Sequence, residues 1–260
     1  MAYETLQLEH DGAIATITLA RPEKRNAISA KMTEEIASAL EEAEKNAARV
    51  VILTGSGKAF CAGMDLEGLR GMADRSPQEH IEDSRKMAKM FYSIYSHPRP
   101  VIAAVNGAAI AGGCGIATLA DFTLAVPEAK FGYSEVRIGF IPALVSVFLR
   151  RQIGEKRARD LLLIGRLIDA AEAFRLGLVT EIVPPESLLA RAREIANTLL
   201  AASPTSLLRT KRLLLRYDRA AVVAEIELAI HENADIRSTK DFREGVTSFL
   251  EKRAPKWTGE

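Results

Sequence analysis

Glycines and one acidic residue supply the first chemical features of this sequence. Gly112, Gly113 and Gly115 fall within four residues of a mostly apolar stretch. Where a glycine-rich turn opens a helix, backbone can approach a ligand closely, and unpaired N–H groups favour a negatively charged oxygen. Phosphate binding is the weaker interpretation because neither GxxxxGK[ST] nor GxGxxG fits. An oxyanion formed during a reaction and simple close packing of helices both stay open.

Glu135 is the one carboxylate in the apolar segment 131–142. Burial there would raise its pKa toward the range useful for acid and base work near neutral pH, whereas a solvated loop carboxylate would do no chemistry. Ser134 does not indicate a serine hydrolase, because Gly132-Tyr133-Ser134-Glu135-Val136 lacks the final glycine of GxSxG.

The two cysteines, Cys61 and Cys114, lack CxxC spacing. A disulfide framework or a zinc site is therefore not expected, and no metal ligands are assigned. A thiol nucleophile is the sharper alternative, but no histidine lies close in sequence, and buried cysteine is usually inert packing.

Composition narrows the class of protein. The chain has 260 residues, 48% of them hydrophobic, and a formal net charge of +1. It can bury a sizeable core, and its charge gives no general attraction to nucleic acid or an anionic membrane. The N-terminus lacks the pattern of a signal peptide, and no apolar run approaches the length that spans a bilayer. We expect a cytoplasmic protein that binds neither membrane nor nucleic acid.

The elements that must hold the glycines and Glu135 follow from periodicity. Residues 3–20 alternate as in a β-hairpin, Ser29 caps a helix that runs to about residue 48, and residues 50–53 form a buried strand. Residues 101–105 read as a central strand that feeds a helix through the glycine turn, and 122–126 as another strand. Residues 67–80 are expected to be a surface segment that orders over a ligand.

The second half of the chain is predominantly helical. Helices are predicted over 144–151, 156–164, 169–176 and 185–202, with a short strand at 179–183. Two further amphipathic helices are predicted at 207–216 and 220–236, followed by one at 244–252. Basic residues between 209 and 219 alternate with leucines at helical spacing, which favours a solvated helix face over a nucleic-acid patch.

At the glycine cluster the sequence resembles a known family. The segments KAFCAGMDL at 58–66 and NGAAIAGGCG at 106–115 are similar to the two signatures of the crotonase family, the enoyl-CoA hydratases and isomerases. The similarity runs from RPEKRNA at 21–27 to FLEKRAP at 249–255. It implies an α/β fold, a crotonase-like spiral of β-β-α turns over residues 1–195, followed by a helical oligomerisation segment over 196–260.

The resemblance also implies roles for individual residues. The backbone N–H groups of Met64 and Gly112 match those that hold the thioester oxygen of an acyl-CoA, and Glu135 matches the residue that exchanges a proton with the α-carbon. The substrate is then an acyl-CoA thioester, no separate cofactor is needed, and a homotrimer or homohexamer is expected. Residues at substrate-contacting positions are Lys24, Arg25, Ala62, Asp65, Leu66, Gly113, Gly115, Tyr133 and Lys252.

One departure from the family pattern leaves the reaction open. Hydratases of this family generally carry a first glutamate where this chain has Gly115. A single carboxylate is compatible with syn hydration of a 2-enoyl-CoA and with Δ3-to-Δ2 isomerisation. The Ser134–Gly139 run is similar to hydratases of the methylglutaconyl-CoA type, which favours hydration. Decarboxylase, thioesterase and dehalogenase relatives, and a non-catalytic CoA-binding or RNA-binding relative, remain alternatives.

Overall fold

The computed structural model describes residues 3–72 and 75–260. The strands within these ranges are β1 (Leu6–Asp11), β2 (Ile14–Leu19), β3 (Val50–Gly55), β4 (Ala59–Cys61), β5 (Val101–Val105), β6 (Ala108–Ile110), β7 (Phe122–Ala125), β8 (Lys130–Gly132), β9 (Leu167–Asp169) and β10 (Glu181–Ile182). The helices are α1 (Ala30–Lys45), α2 (Leu66–Met72), α3 (Pro77–Tyr95), α4 (Gly112–Thr118), α5 (Ala143–Ile153), α6 (Glu155–Ile164), α7 (Ala170–Leu176), α8 (Leu188–Ala201), α9 (Pro204–Asp235) and α10 (Lys240–Glu251). Short 3-10 helices occupy Pro22–Lys24, Glu135–Ile138, Pro185–Ser187 and Ile236–Ser238.

The strands alternate between two sheets, which confirms the predicted spiral. One sheet has the order β1-β2-β3-β5-β7-β10 and the other β4-β6-β8-β9. Each of the pairs β3–β4, β5–β6 and β7–β8 passes from the first sheet to the second. A helical segment returns the chain to the first sheet after β4 and after β6, whereas the helices after β8 lead first to β9 of the second sheet. The β1–β2 hairpin and the β8–β9 pair are antiparallel, and the other pairings are parallel. Successive turns therefore stack as repeated β-β-α units.

The central strands of the first sheet are fully buried. Residues 50–53 of β3 and 101–105 of β5 are at most 2% exposed, as expected of parallel strands covered on both faces. Helix α1 packs on β1 and β2, and α8 on β3 and β5. Ser29 caps α1 as predicted, since its side chain accepts the Met32 N–H. Within the described residues, no helix is both long and apolar enough to cross a membrane.

The C-terminal region differs from the prediction in its helices. The expected pair at 207–216 and 220–236 is one helix, α9, from Pro204 to Asp235. No proline or glycine separates the two amphipathic stretches, and the same face of the helix is turned inward in both, so the helix continues through the polar residues 218 and 219. Val222, Ala229 and Ile230 join the main core. Helix α8 runs through residue 195, and the division of the chain there stays a prediction.

Two loops predicted from the sequence are partly regular. The polar segment 67–80 contains α2 and the start of α3, whose Ser76 and Glu79 form a reciprocal capping box. Residues 73 and 74 lie outside the described residues. A short strand that was not predicted, β6, lies between β5 and the glycine turn. Strand β8 and a 3-10 helix occupy the segment 131–142 that had no predicted regular structure.

Asn26 ties the turn after β2 to the turn after β3. Its side chain is fully buried; the amide oxygen accepts the Arg21 N–H at 2.9 Å, and the amide nitrogen donates to the carbonyls of Ser56 at 2.9 Å and Ala59 at 2.8 Å. Its φ of 54° lies in the left-handed region, which asparagine tolerates better than most residues. This side chain therefore holds the segment after β2 beside β4.

We expect Asn26→Ala to lower the free energy of unfolding by about 2–4 kcal/mol, because three backbone groups lose their partner and alanine is strained at this φ. Asn197→Ala, on the exposed face of α8, is the matched control and should change stability by less than about 0.5 kcal/mol. Urea denaturation followed by circular dichroism measures both. Equal losses in the two variants would contradict the role of Asn26.

Candidate active site

A cavity of about 450 Å³ gathers most of the predicted site residues. It lies between the turn after β2, the turn after β4, the start of α4 and the 3-10 helix at 135–138. Its walls are largely apolar, with a few polar groups, which is the usual composition of a small-molecule site. Predicted site residues that line it are Lys24, Arg25, Ala62, Met64, Asp65, Gly112 and Glu135.

The turn after β4 runs parallel to the segment after β2. The Ile28 N–H donates to Gly63 O at 2.7 Å, and the Asp65 N–H donates to Ile28 O at 3.0 Å. Ile28 thus bonds the residues on either side of Met64. Because successive backbone groups of an extended chain point to opposite sides, the Met64 N–H faces away from Ile28. It is left available on the side of the cavity that Met64 lines.

Arg21 clamps these two segments together. One guanidinium nitrogen donates to Ala27 O at 2.7 Å, and the other pairs with the Asp65 carboxylate at 2.7 Å. Asp65 is 4% exposed, so this ion pair is shielded from water. The sequence reasoning assigned no site role to Arg21. The pair spans the two segments that carry the Met64 amide, which makes Arg21 a positioning residue.

The second amide comes from the start of α4. Gly112 is the first residue of this helix, so its N–H has no acceptor within the helix. The preceding residue, Ala111, has φ 51°, and its own N–H donates to Gly132 O at 2.7 Å. This bond to β8 holds the strained turn in place. The N–H of Gly112 is therefore set at the cavity wall by backbone contacts alone.

The two turns touch each other. A Cβ atom built on Gly63 would lie 3.1 Å from the Cβ of Ala111, and one built on Gly113 would lie 2.2 Å from the carbonyl oxygen of Cys61. No side chain fits at Gly113, and Gly63 also has φ 88°. Since Gly63 precedes Met64 and Ala111 precedes Gly112, the contact brings the two amides to one end of the cavity.

Glu135 begins the 3-10 helix and is 7% exposed. Burial raises its pKa from 4.5 to about 7, while a hydrogen bond from its own backbone N–H acts in the opposite direction. Its Oε2 atom is buried and has no hydrogen-bond partner among the described residues. A carboxylate in this state is poised to accept or donate a proton near neutral pH.

Helix α10 supports the turn that carries Glu135. A Cβ atom on Gly245 would lie 2.2 Å from Ile138 O, and one on Gly139 would lie 2.3 Å from Asp241 O. Gly139 has φ 65° and ends the 3-10 helix by donating to Glu135 O. The C-terminal helix is thus packed directly against the backbone that positions the carboxylate.

Three predicted contact residues lie behind the wall of the cavity. A Cβ atom on Gly115 would lie 2.6 Å from Val145 Cγ1 and 3.0 Å from Phe91 Cε1, and both of these side chains line the cavity. There is no room at residue 115 for a second carboxylate. Gly113 packs on Cys61, and the Tyr133 hydroxyl lies 3.2 Å from that of Thr118. None of the three is among the lining residues.

The cationic positions separate into two groups. Lys24 and Arg25 are exposed at the mouth of the cavity, where a polyanionic part of a ligand would enter. Lys252 is exposed at the end of α10 and is not among the lining residues, although Phe249 of the same helix is. Leu66 begins α2, and its side chain lies outside the described residues.

The buried cysteines show no sign of nucleophilic chemistry. Burial raises the pKa of Cys61 and of Cys114 to about 12, so neither forms appreciable thiolate at neutral pH. Across residues 3–72 and 75–260, His, Cys, Asp and Glu side chains do not cluster in threes as a metal site would require.

Two polar residues of the cavity escaped the sequence reasoning. Asn233 at the end of α9 and Arg237 in the following 3-10 helix both line it and are 5% and 1% exposed. Neither belongs to a motif. The sequence shows only an asparagine near the end of a predicted helix and an arginine four residues later, just beyond it, which is ordinarily a solvated pattern.

Comparison with known proteins agrees with the fold. The family model described as Enoyl-CoA hydratase/isomerase matches residues 9–260. A carnitinyl-CoA hydratase structure from Mycobacterium avium superposes with a TM-score of 0.86 at 32% identity, covering 100% of each chain. An enoyl-CoA hydratase/isomerase structure from Xanthobacter autotrophicus has a TM-score of 0.89 at 29% identity and covers 97% of this chain and 98% of its own.

A relative found by sequence supports the same family assignment. The crotonyl-CoA hydratase of Syntrophomonas wolfei is 36% identical over 264 residues, 97% of each chain. The chain belongs to the enoyl-CoA hydratase/isomerase family. The predicted family and the crotonase-like fold are thereby confirmed.

The buried state of Glu135 predicts a pH-dependent stability. Between about pH 4.5 and 7 the folded protein holds a proton that the unfolded chain has released, so stability falls as pH rises through this window. Glu135→Gln removes this loss. We expect the variant to be more stable than wild type by up to about 3 kcal/mol near pH 8, and nearly equal to it near pH 5.

Chemical denaturation at several pH values measures this difference. Glu128→Gln, an exposed carboxylate on the preceding loop, is the matched control and should show no such window. A difference between Glu135→Gln and wild type that stays constant from about pH 5 to about pH 8 would contradict a raised pKa at Glu135.

Proposed function

We propose that this protein is an enzyme that adds water to a 2-enoyl-CoA. The observation that carries the proposal is the arrangement of one buried, unpaired carboxylate, Glu135, in the same cavity as the Met64 and Gly112 amides. Membership in the enoyl-CoA hydratase/isomerase family and the likeness to a crotonyl-CoA hydratase support it. The substrate is an acyl-CoA thioester, and coenzyme A enters as part of that substrate.

The proposed reaction begins with the thioester oxygen accepting both amide N–H groups. The Glu135 carboxylate takes a proton from water, and the resulting hydroxide forms a bond to the β-carbon. The double-bond electrons move toward the carbonyl, so that negative charge collects on the thioester oxygen. The Glu135 carboxyl group then returns a proton to the α-carbon, and the carboxylate is regenerated. One carboxylate suffices because both transfers occur on one face of the alkene.

The amides of Met64 and Gly112 contribute through charge. Donors that are preset around an oxygen bind its anionic form more strongly than the neutral carbonyl, and removing one such donor costs about 3–4 kcal/mol in other enzymes. Both amides belong to backbone held by contacts at glycine. The side chain at residue 64 is therefore free to vary without losing the donor.

Binding of the coenzyme A portion is assigned to the mouth of the cavity. Lys24 and Arg25 offer positive charge where phosphates would lie, and Ala62 and Asp65 line the adjoining wall. Leu66 is assigned to the same ligand through the resemblance alone. Lys252 does not line the cavity, so it would contact the coenzyme A phosphates only where they extend beyond the mouth. Gly113, Gly115 and Tyr133 then act through the shape of the wall rather than by contact. A cytoplasmic location is part of this proposal.

A subgroup can also be proposed. Gly115 and the run from Ser134 to Gly139 are similar to single-glutamate hydratases of the methylglutaconyl-CoA type. The absence of space at residue 115 is consistent with a one-carboxylate mechanism. The same observation favours Δ3-to-Δ2 isomerisation as the second candidate, since one base can move a proton between two carbons. Turnover of a 3-enoyl-CoA but not of crotonyl-CoA would select the isomerase.

The exposed face of α9 supports assembly into a homotrimer or homohexamer. Leu213, Leu214, Tyr217 and Leu228 are between 51% and 70% exposed along this helix. A row of large apolar side chains in water is costly and typically marks a contact between subunits. Helices α3 and α5 pack against α9, which leaves this face directed away from its own core.

We expect Glu135→Gln to reduce the turnover of crotonyl-CoA by at least about 100-fold, the usual scale for removing a general acid or base. Its affinity for a saturated acyl-CoA should remain within a few-fold of wild type. Glu128→Gln is the matched control. Hydration is measured by loss of enoyl absorbance, and full activity of Glu135→Gln would reject the assigned role.

A non-catalytic relative that binds coenzyme A or RNA would give a different result. Such a protein would bind its ligand without turning over any enoyl-CoA, and an RNA complex would weaken steeply as salt rises. Thermal stabilisation by an acyl-CoA without turnover of crotonyl-CoA or a 3-enoyl-CoA would therefore replace the hydratase proposal.

A further inference from the structure

The proposed reaction leaves two polar residues of the cavity without a role. Asn233 and Arg237 are buried, yet both line the same space as Glu135. A buried polar group that faces a cavity is costly unless it is paired or meets a ligand. What these two side chains present to the cavity therefore bears on the acyl group that the enzyme accepts.

Hydrogen bonds fix the orientation of the Asn233 amide. The Ser84 hydroxyl donates to its Oδ1 at 2.8 Å, and the Arg237 guanidinium donates to the same atom at 2.7 Å. Two donors on one atom require that atom to be oxygen, so Nδ2 points the other way. Among the described residues Nδ2 has no hydrogen-bond partner. It is not one of the fully buried atoms that lack a partner, and Asn233 lines the cavity. Asn233 therefore offers N–H donors to a ligand.

The Asn233 amide is held by a positively charged side chain, that of Arg237. Arg237 donates to Asp83 Oδ2 at 2.8 Å, and Arg75 lies 3.5 Å from the other oxygen of the same carboxylate. Within the described residues the Asp83 carboxylate is thus shared by two guanidinium groups and does not serve Arg237 alone. The Nε–H of Arg237 is buried and has no partner among the described residues. In such a poorly solvated place a guanidinium with an unpaired N–H favours an anionic acceptor nearby.

The position of Asn233 is on the far side of the reacting centre. Ser84, Met87 and Phe91 follow one another along one face of α3, and Phe91 lies beside Gly112, 3.6 Å from where its Cβ would be. Seven residues of helix span about 10 Å, so the Ser84–Asn233 contact lies about that far from the oxyanion end. An acyl chain that starts at the Met64 and Gly112 amides and follows this wall of the cavity would end beside Asn233.

We propose that Asn233, oriented by Arg237, is a specificity site for the far end of the acyl group and selects chains that end in a carboxylate. A carboxylate oxygen accepts the Asn233 N–H groups, and the positive charge of Arg237 offsets the desolvation of that carboxylate. The inference rests on the proposed function for the placement of the thioester at the Met64–Gly112 end. Its test uses saturated ligands, so that binding is read separately from turnover.

The ligands form matched pairs of increasing length. Glutaryl-, adipyl- and pimelyl-CoA are compared with 5-methylhexanoyl-, 6-methylheptanoyl- and 7-methyloctanoyl-CoA, in which an isopropyl group replaces the carboxylate at equal size. Calorimetry measures each dissociation constant. We expect wild type to bind the carboxylate member at least about 10-fold more tightly at one length or more, as is usual for a hydrogen bond to a charged group.

Two variants test the residue. Asn233→Asp places an oxygen where the donor was but keeps an acceptor for Ser84 and Arg237, and Asn233→Leu removes both functions at similar volume. Both should lose the preference for the carboxylate ligand. Asn197→Asp, on the exposed face of α8, is the control and should keep it.

The inference is overturned if wild type shows no preference at any of the three lengths, or if Asn233→Asp keeps the wild-type preference. Circular dichroism of each variant verifies that it is folded before its affinities are compared. Turnover of crotonyl-CoA and of 3-methylglutaconyl-CoA, a 2-enoyl-CoA whose acyl chain ends in a carboxylate, is measured in parallel with wild type. A retained carboxylate preference in a protein that hydrates neither of them would support the specificity site and reject the hydratase proposal.

Discussion

The site depends on one close contact between two backbone turns. The turn after β4 and the turn that opens α4 approach so closely that Gly113 has no room for a Cβ atom beside Cys61, and Gly63 packs directly on Ala111. Glycine is therefore required for packing and for ligand approach at once, and the two alternatives that its clustering left open are not exclusive. Donors fixed by packing cost no reorganisation when charge develops beside them.

The burial of Glu135 lowers the stability of the fold, whereas the contact between the two turns supports it. The fold places a carboxylate in apolar surroundings with one oxygen unpaired, and helix α10 packs against the turn that holds it there. This placement raises its pKa to about 7 and costs folding energy above that pH. Stabilising contacts elsewhere, such as the three hydrogen bonds of Asn26, offset this loss of folding free energy. The burial of Glu135 that lowers the stability of the fold is therefore the same burial that raises its pKa into the range useful for catalysis.

Much of the fold could be predicted from the sequence, because alternation, apolar runs and capping residues are local signals. The hairpin, the buried strands and the Ser29 cap are confirmed. The unbroken α9 could not be foreseen, since apolar side chains lie on both its buried and its exposed face and obscure the helical period. Of the site residues within the two signatures, Ala62, Met64, Asp65 and Gly112 line the cavity. By contrast, Arg21, Asn233 and Arg237 are held by partners distant in the chain. Such pairings leave no periodic trace in one sequence.

The most direct test of the account is a crystal structure with a saturated acyl-CoA, such as butyryl-CoA, bound in the cavity. We predict that the thioester oxygen lies about 2.7–3.2 Å from the backbone nitrogens of both Met64 and Gly112, with the Glu135 carboxylate beside the α- and β-carbons. A thioester oxygen bound by neither amide, or a Glu135 side chain turned away from the acyl chain, would contradict the account.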